Sequence, residues 1–309
     1  MRPARLGRRW VIASGLSFAA AGFSGVSLAS AQRKAATAII PFQTAPFPYE
    51  GSVPETGESF MDVDQDGRLG HTSPRGGIYW EDETYNDNSV LLHVPVGFDP
   101  DRPGVLVVYL HGNNANLRDT VIGDQHVIDQ FDASGLNGLL VAPQLAVNAF
   151  DSSAGRFWTP GAFGQFLDEA AKHFGRASKA SRLPVVIIAY SGGYNPCAYA
   201  LAVGGAARRI AGVVLLDALI AEDDKFIDFV RRSKRSSFFF SAFGASTQAE
   251  NEKVMASLVR LGIAVETDPP DALKRGTVAF LSTDADHDEF VTSAWVDNPL
   301  QWTLSRIAV

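Results

Sequence analysis

Three side chains far apart in the chain have the types needed for nucleophilic acyl chemistry: Ser191, Asp217 and His287. Ser191 lies in Ala189-Tyr190-Ser191-Gly192-Gly193, after the apolar run PVVIIA (184–189) and before a helix-like segment. A serine flanked by small residues at a strand-to-helix turn fits a strained elbow that lifts the hydroxyl above the sheet edge. The same turn aims the next amide, that of Gly192, at a reacting carbonyl. Small residues are needed because bulkier neighbours would collide in so tight a turn. The pentapeptide alone arises easily by chance at ordinary Gly, Ala and Ser usage. Its position between a buried strand and a helix makes it informative.

The base of such a site must accept and return a proton near neutral pH, which selects imidazole. Six histidines are present. His71 and His93 precede the elements that would form a site, and His126 and His173 fall on helical stretches, so these four read as surface or satisfied core residues. His111 begins the stretch HGNNAN after VLVVYL (105–110). There the amide of Asn113 or Asn114 can face a developing oxyanion, a donor worth about 3 kcal/mol; the sequence does not decide between them. His287 follows the last β-rich run, in TDADHD (283–288), and is the candidate base. Asp217 ends GVVLL (212–216), at the carboxyl edge where open α/β sheets hold their sites. It is the preferred acid, with Asp223, Asp224, Glu250, Asp284 and Asp286 as competitors and a helix cap as its structural role. Tyr190 and Trp158 are candidate substrate contacts, and Phe157 and Trp158 fit a packing role in the core equally well. Cys197, six residues after Ser191, is the lone cysteine, so no internal disulfide can form, and it reads as a packing thiol.

The elements that must position these groups alternate along the chain. Short β-rich runs at 88–95, 105–110, 139–142, 184–189, 212–216, 237–243 and 277–281 are separated by helix-length segments, among them 162–174, 193–203 and 248–261. The last run is followed by an expected closing helix near 290–307. That pattern predicts an α/β fold: a mostly parallel, doubly wound sheet with helices on both faces. One helix is expected between Asp217 and Ser236, leaving no room there for a large lid. Residues 1–31 carry Arg2, Arg5, Arg8 and Arg9, an apolar run from Trp10 to Leu28, and Ala29-Ser30-Ala31, and read as a signal peptide. The Arg8-Arg9 pair resembles a twin-arginine export signal, with the Sec route as the alternative and a membrane anchor less compatible with its Gly and Ser content. Residues 32–309 form the predicted domain, with 32–54 as an irregular, Pro-rich N-terminal arm. Net charge is -7 over 309 residues, without basic patches interleaved with aromatics, so a nucleic-acid partner is not expected. Asp62-x-Asp64-x-Asp66-Gly67 matches the start of a calcium loop, but Ser73 occupies its twelfth position, and a polar turn between early strands is the better reading.

Taken together, HTSPRGGIYWEDETYND, VAPQLAVNAFDSSAGRFW, AYSGGYNP, VVLLDAL and HDEFVTSAW give the chain from about Val90 onward, and a stretch before it, a likeness to exported α/β hydrolases of Gram-negative bacteria. The resemblance implies an α/β-hydrolase fold with Ser191 as nucleophile, His287 as base and Asp217 as its orienting acid. It implies an oxyanion hole from Gly192 and Asn113, although HGNNAN departs from the expected pattern of a second His or further Gly. No metal or organic cofactor is required for this chemistry. The expected substrate is a small-molecule or cell-wall ester, met in the periplasm or outside the cell after export by the Tat or Sec machinery. An amidase or peptidase, or a non-catalytic binding protein on the same scaffold, are the alternatives.

Overall fold

The computed structural model describes residues 35–308, so the leader and its processing site lie outside the described residues. In chain order the strands are β1 (Ala36–Pro41), β2 (Val63–Gln65), β3 (Arg68–Thr72), β4 (Ile78–Trp80), β5 (Ser89–Val94), β6 (Val105–Leu110), β7 (Gly138–Pro143), β8 (Val185–Tyr190), β9 (Ile210–Leu216), β10 (Phe238–Phe243), β11 (Leu273–Lys274), β12 (Val278–Ser282) and β13 (Ile307–Ala308). The helices are α1 (Val127–Ala133), α2 (Ala162–Phe174), α3 (Tyr194–Ala202), α4 (Asp223–Ser233), α5 (Gln248–Arg260) and α6 (Pro299–Ser305). Eight strands build the main sheet in the order β1-β5-β7-β6-β8-β9-β10-β12. β5 runs antiparallel to both β1 and β7, and every pair from β7 to β12 is parallel.

Strands buried on both faces need apolar residues at every position, and β6, β8, β9 and β10 are buried throughout. Alternation then divides their side chains between two cores. Leu106, Val108, Val185 and Ile187 face one, while Val107, Tyr109, Val186 and Ile188 face the other. Cys197 lies fully buried in the first, where burial pushes its thiol pKa up and leaves it inert. Helices on both faces and this strand order, with one early strand reversed, make an α/β-hydrolase fold.

Two expectations are corrected and one is extended. The N-terminal arm is not irregular throughout: 36–41 forms an edge strand, pairing Ala36 with Val94 through Pro41 with Ser89. Its Pro41 stands at the strand's end on the sheet edge, where a missing N–H is tolerated, and Thr37, Ile39 and Ile40 favour extension. The closing helix is shorter than 290–307, because Asn298 is left-handed (φ 58°) and Pro299 opens α6. Residues 63–80 fold into a separate three-stranded antiparallel sheet, β2-β3-β4, which the sequence suggested only as early strands around a turn. The Asp62–Gly67 stretch spans β2 and the turn into β3. Asp64 accepts the Gly67 amide at 2.8 Å and Asp62 the Thr72 amide at 2.7 Å, so two of its carboxylates serve the backbone. Among the described residues no group of three or more His, Cys, Asp or Glu side chains is placed to hold a metal ion, and no helix is long and apolar enough to cross a membrane.

Candidate active site

Parallel strands bring their carboxyl ends to one edge, and the three expected side chains converge there. Ser191 immediately follows β8 at φ 49°, a left-handed conformation that costs a non-glycine residue about 1–3 kcal/mol and requires support from its surroundings. The support is close packing. A Cβ on Gly193 would lie 2.4 Å from the Leu110 carbonyl oxygen, and one on Gly192 would lie 2.0 Å from Asn113 Oδ1. Backbone blocks any side chain at 193 and the Asn113 side chain crowds 192, so the chain can turn from strand to helix directly above β6. Ser191 remains 8% exposed, enough to meet a ligand.

His287 Nε2 lies 2.7 Å from Ser191 Oγ, and its Nδ1 lies 2.5 Å from Asp217 Oδ2. A carboxylate can only accept, so Nδ1 carries the proton and Nε2 presents its lone pair to the serine hydroxyl. Asp217, fully buried after β9 with φ 45°, would have its pKa raised by burial alone. Donors from His287, the Ser246 hydroxyl, the Thr247 hydroxyl (2.5 Å) and the Gly244 amide (3.1 Å) overcome that and hold it below its usual range. The carboxylate therefore stays ionised and can steady a positive imidazolium. Ser246, Thr247 and Gly244 come from the loop after β10 and were not anticipated. Of the competing acids, Asp223 pairs with Lys253, and Asp286 caps the turn containing His287.

The two candidate oxyanion amides differ in their partners. The Asn114 amide is bonded to Ala149 O at 2.8 Å, whereas the Asn113 amide has no partner among the described residues. The Gly192 amide belongs to the first turn of a helix, whose amides have no intrahelical acceptor. His111 shapes this loop. Its Nε2 accepts the Leu145 amide at 2.9 Å and its Nδ1 donates to Gly112 O at 2.7 Å. Burial lowers its pKa to about 4, so the ring stays neutral. Bonds from Asn114 to Ala149 and from Asn148 to Ala115 tie HGNNAN to the loop after β7 and limit its movement.

Beside the oxyanion side lies a cleft of about 360 Å³, whose lining includes Trp158, Ser152, Tyr194, His71 and Arg75. Ser152 Oγ donates to Asn113 Oδ1 at 3.1 Å, which links cleft to oxyanion loop. Trp158 lines it as expected, its Nε1 donating to Asn195 Oδ1, while Phe157 is a core residue packed on Phe163 and Phe166. Tyr190 is not part of that lining. Its ring stacks on His287 with centroids 5.4 Å apart and its hydroxyl reaches the His287 carbonyl, so it holds the imidazole in place. The residue's place in the strand explains this, because side chains alternate faces and Tyr190 falls on the side from which His287 approaches. Much of the wall comes from 53–75, chain that the sequence reading placed away from the site. His93 is a satisfied core residue, bonded to Thr37 and Asp132, and His173 stacks on Phe42.

No family model matches the chain, and no curated protein matches it. Solved structures similar to it include a mutant of the feruloyl esterase module from Clostridium thermocellum complexed with sinapinate, at 14% identity and TM-score 0.42, covering 84% of this chain and 97% of that one. An S-formylglutathione hydrolase from Agrobacterium tumefaciens matches at 13% identity and TM-score 0.44, covering 80% and 98%. A fluorophosphonate-binding serine hydrolase of Staphylococcus aureus matches at 12% identity and TM-score 0.42, covering 83% and 94%. At such identities and scores the assignment rests on the strand order and on the site's own geometry. The chain has an α/β-hydrolase fold with a Ser-His-Asp constellation assembled at the carboxyl edge of its sheet.

Proposed function

We propose that the protein is a serine hydrolase that cleaves carboxylic esters through an acyl-enzyme. The observation that carries this is the unbroken relay from Asp217 through His287 to Ser191, with 2.5 Å and 2.7 Å separations, a geometry in which the ionised Asp217 requires the proton on Nδ1. Ser191 Oγ attacks the acyl carbon while His287 Nε2 takes its proton, and the Asn113 and Gly192 amides receive the negative oxygen. The alcohol leaves with the proton from His287. Water, activated by the same ring, then releases the acid. Apart from the ester and the water, every step uses groups of this chain.

The cleft next to the oxyanion side suits a small ester or the ester-bearing end of a cell-wall polymer. Residues 1–31, read from their sequence as an export leader, support a substrate met in the periplasm or outside the cell. An activated fluorophosphonate tests the assignment: wild type should be labelled at Ser191 and Ser191→Ala should not. Equal labelling of the two would end the proposal. Turnover of a p-nitrophenyl ester, with the matching anilide cleaved far more slowly, would separate esterase from amidase. Labelling without turnover of any ester would favour a binding protein.

A further inference from the structure

The edge of the sheet opposite Ser191 carries a second concave feature, a cleft of about 430 Å³. Arg208 and Arg209 enter it from the turn before β9, Arg232 from the last turn of α4, and Arg275 from the turn before β12. The connections leading into parallel strands all end at this edge, so the topology gathers the four guanidiniums. No carboxylate lines the cleft, although the chain as a whole is acidic at -7. The floor is apolar, with Leu201, Ile210 and Phe229 among its residues.

Two of the four arginines are accounted for within the fold. Arg232 pairs with Asp228 at 2.6 Å and sits at a helix C-terminus, where the dipole favours a cation. Arg209 donates to the carbonyls of Ala180 and Leu183, but its Nε is buried with no partner among the described residues. Arg208 and Arg275 are exposed and have no acidic partner among the described residues. Like charges held at one cleft repel each other, so a ligand that neutralises them is favoured. Guanidinium forks match the paired oxygens of phosphate, and the apolar floor suits the chain behind such a headgroup.

We propose that this cleft binds the phosphate headgroup of an anionic lipid, docking the protein on a membrane surface with its catalytic edge turned away. Docking of that kind leaves the Ser191 side open to a soluble or polymer-borne ester, and it does not depend on hydrolysis occurring at all.

The test is sedimentation with vesicles of phosphatidylglycerol and phosphatidylcholine, or of phosphatidylcholine alone, in about 50 mM salt, where surface charges are weakly screened. The full mature chain should bind the anionic vesicles and not the zwitterionic ones. Arg208→Gln/Arg275→Gln should bind about thirtyfold more weakly, from two basic residues at a charged surface. Arg68→Gln/Arg118→Gln, which removes two arginines that do not line this cleft, should bind nearly as wild type, and both variants should keep wild-type ester turnover. Equal binding to the two vesicle types would overturn the proposal, as would equal loss in the two variants. Protection of the cleft by inorganic phosphate with no vesicle binding would overturn it too, leaving a site for the free anion instead.

Discussion

Replacing Asp217 by Asn isolates what the carboxylate does, because volume and shape barely change. The acceptor oxygen can still take the Gly244 amide, now 3.1 Å from Oδ1, and the Thr247 hydroxyl. The new amino group then faces His287 Nδ1, where Oδ2 stands at 2.5 Å, and the Ser246 hydroxyl, which can rotate to accept. An amide nitrogen only donates, so His287 must turn a bare Nδ1 toward it and carry its proton on Nε2. That nitrogen is 2.7 Å from Ser191 Oγ and can no longer receive the serine proton. The same tautomer fault costs about 10⁴ in kcat in serine proteases, or ~5.4 kcal/mol of transition-state stabilisation. Steady-state hydrolysis of p-nitrophenyl acetate measures the loss, with a thermal melt to show that the variant is folded. Stability supplies a second readout. The folded-state pKa of Asp217 lies below the usual 3.8, so its contribution is present above that pH and disappears as pH falls through the folded value. The variant should therefore be less stable than wild type at pH 7, with the gap closing below about pH 4. A folded Asp217→Asn protein retaining activity within tenfold of wild type would refute the relay.

Gly192→Ala places a methyl where Asn113 Oδ1 lies 2.0 Å and Ser152 Oγ 2.9 Å away, so the Asn113 side chain must swing aside and its bond from Ser152 is lost, which frees the residue that offers the second amide. Losing one oxyanion donor lowers kcat about 10²–10³-fold, and the kcat of an ester substrate checks this, with the melting temperature reporting the strain. His111, with its pKa lowered to about 4, refuses a proton that the unfolded chain accepts near pH 6.5. Stability should then fall as pH drops from about 6.5 to 4, by roughly 3 kcal/mol. His111→Gln, whose side-chain oxygen can still accept the Leu145 amide, should flatten that part of a denaturation-against-pH curve. For the leader, N-terminal sequencing of protein from a periplasmic extract should begin at Gln32, and replacing Arg8 and Arg9 together by Lys should hold the protein in the cytoplasm if the twin-arginine route operates. Cytoplasmic protein beginning at Met1 in wild-type cells would remove the export proposal.

Local sequence carried the parts of the fold that are set by burial. β6, β8, β9 and β10 are apolar at nearly every position because both of their faces are covered, and such runs are visible without a structure. β1 was hidden by proline density, since a reading based on turn residues gives no credit to an edge strand that tolerates them. The β2-β3-β4 sheet has strands of three to five residues with charged and glycine positions, too short to show a period, and its contribution to the cleft wall was lost with it. The serine and histidine were legible because their elements are contiguous with the strands that present them. The choice between Asn113 and Asn114 was not, because it depends on a bond from Asn114 to Ala149, thirty-five residues away. Thr247 precedes α5, where a local reading makes it a helix cap. Its hydroxyl caps nothing there and goes to Asp217.

That last pairing shows how a carboxylate after β9 is supported by the loop after β10. The two strands are parallel neighbours with Leu216 opposite Ala242, so their carboxyl ends leave the sheet side by side. The Asp217 amide bonds back to Ala242 O at 2.8 Å, which fixes the left-handed turn and points the side chain across the end of β10. From there it reaches His287 on the loop after β12, two strands away. The loop after β10 still takes part, supplying the Gly244 amide and two hydroxyls in place of a carboxylate. A lone buried carboxylate with one imidazole partner would be costly to keep ionised, and its charge is what stabilises the imidazolium. Dividing the work between adjacent loops meets both needs, since one provides the charge and the other the donors that hold it.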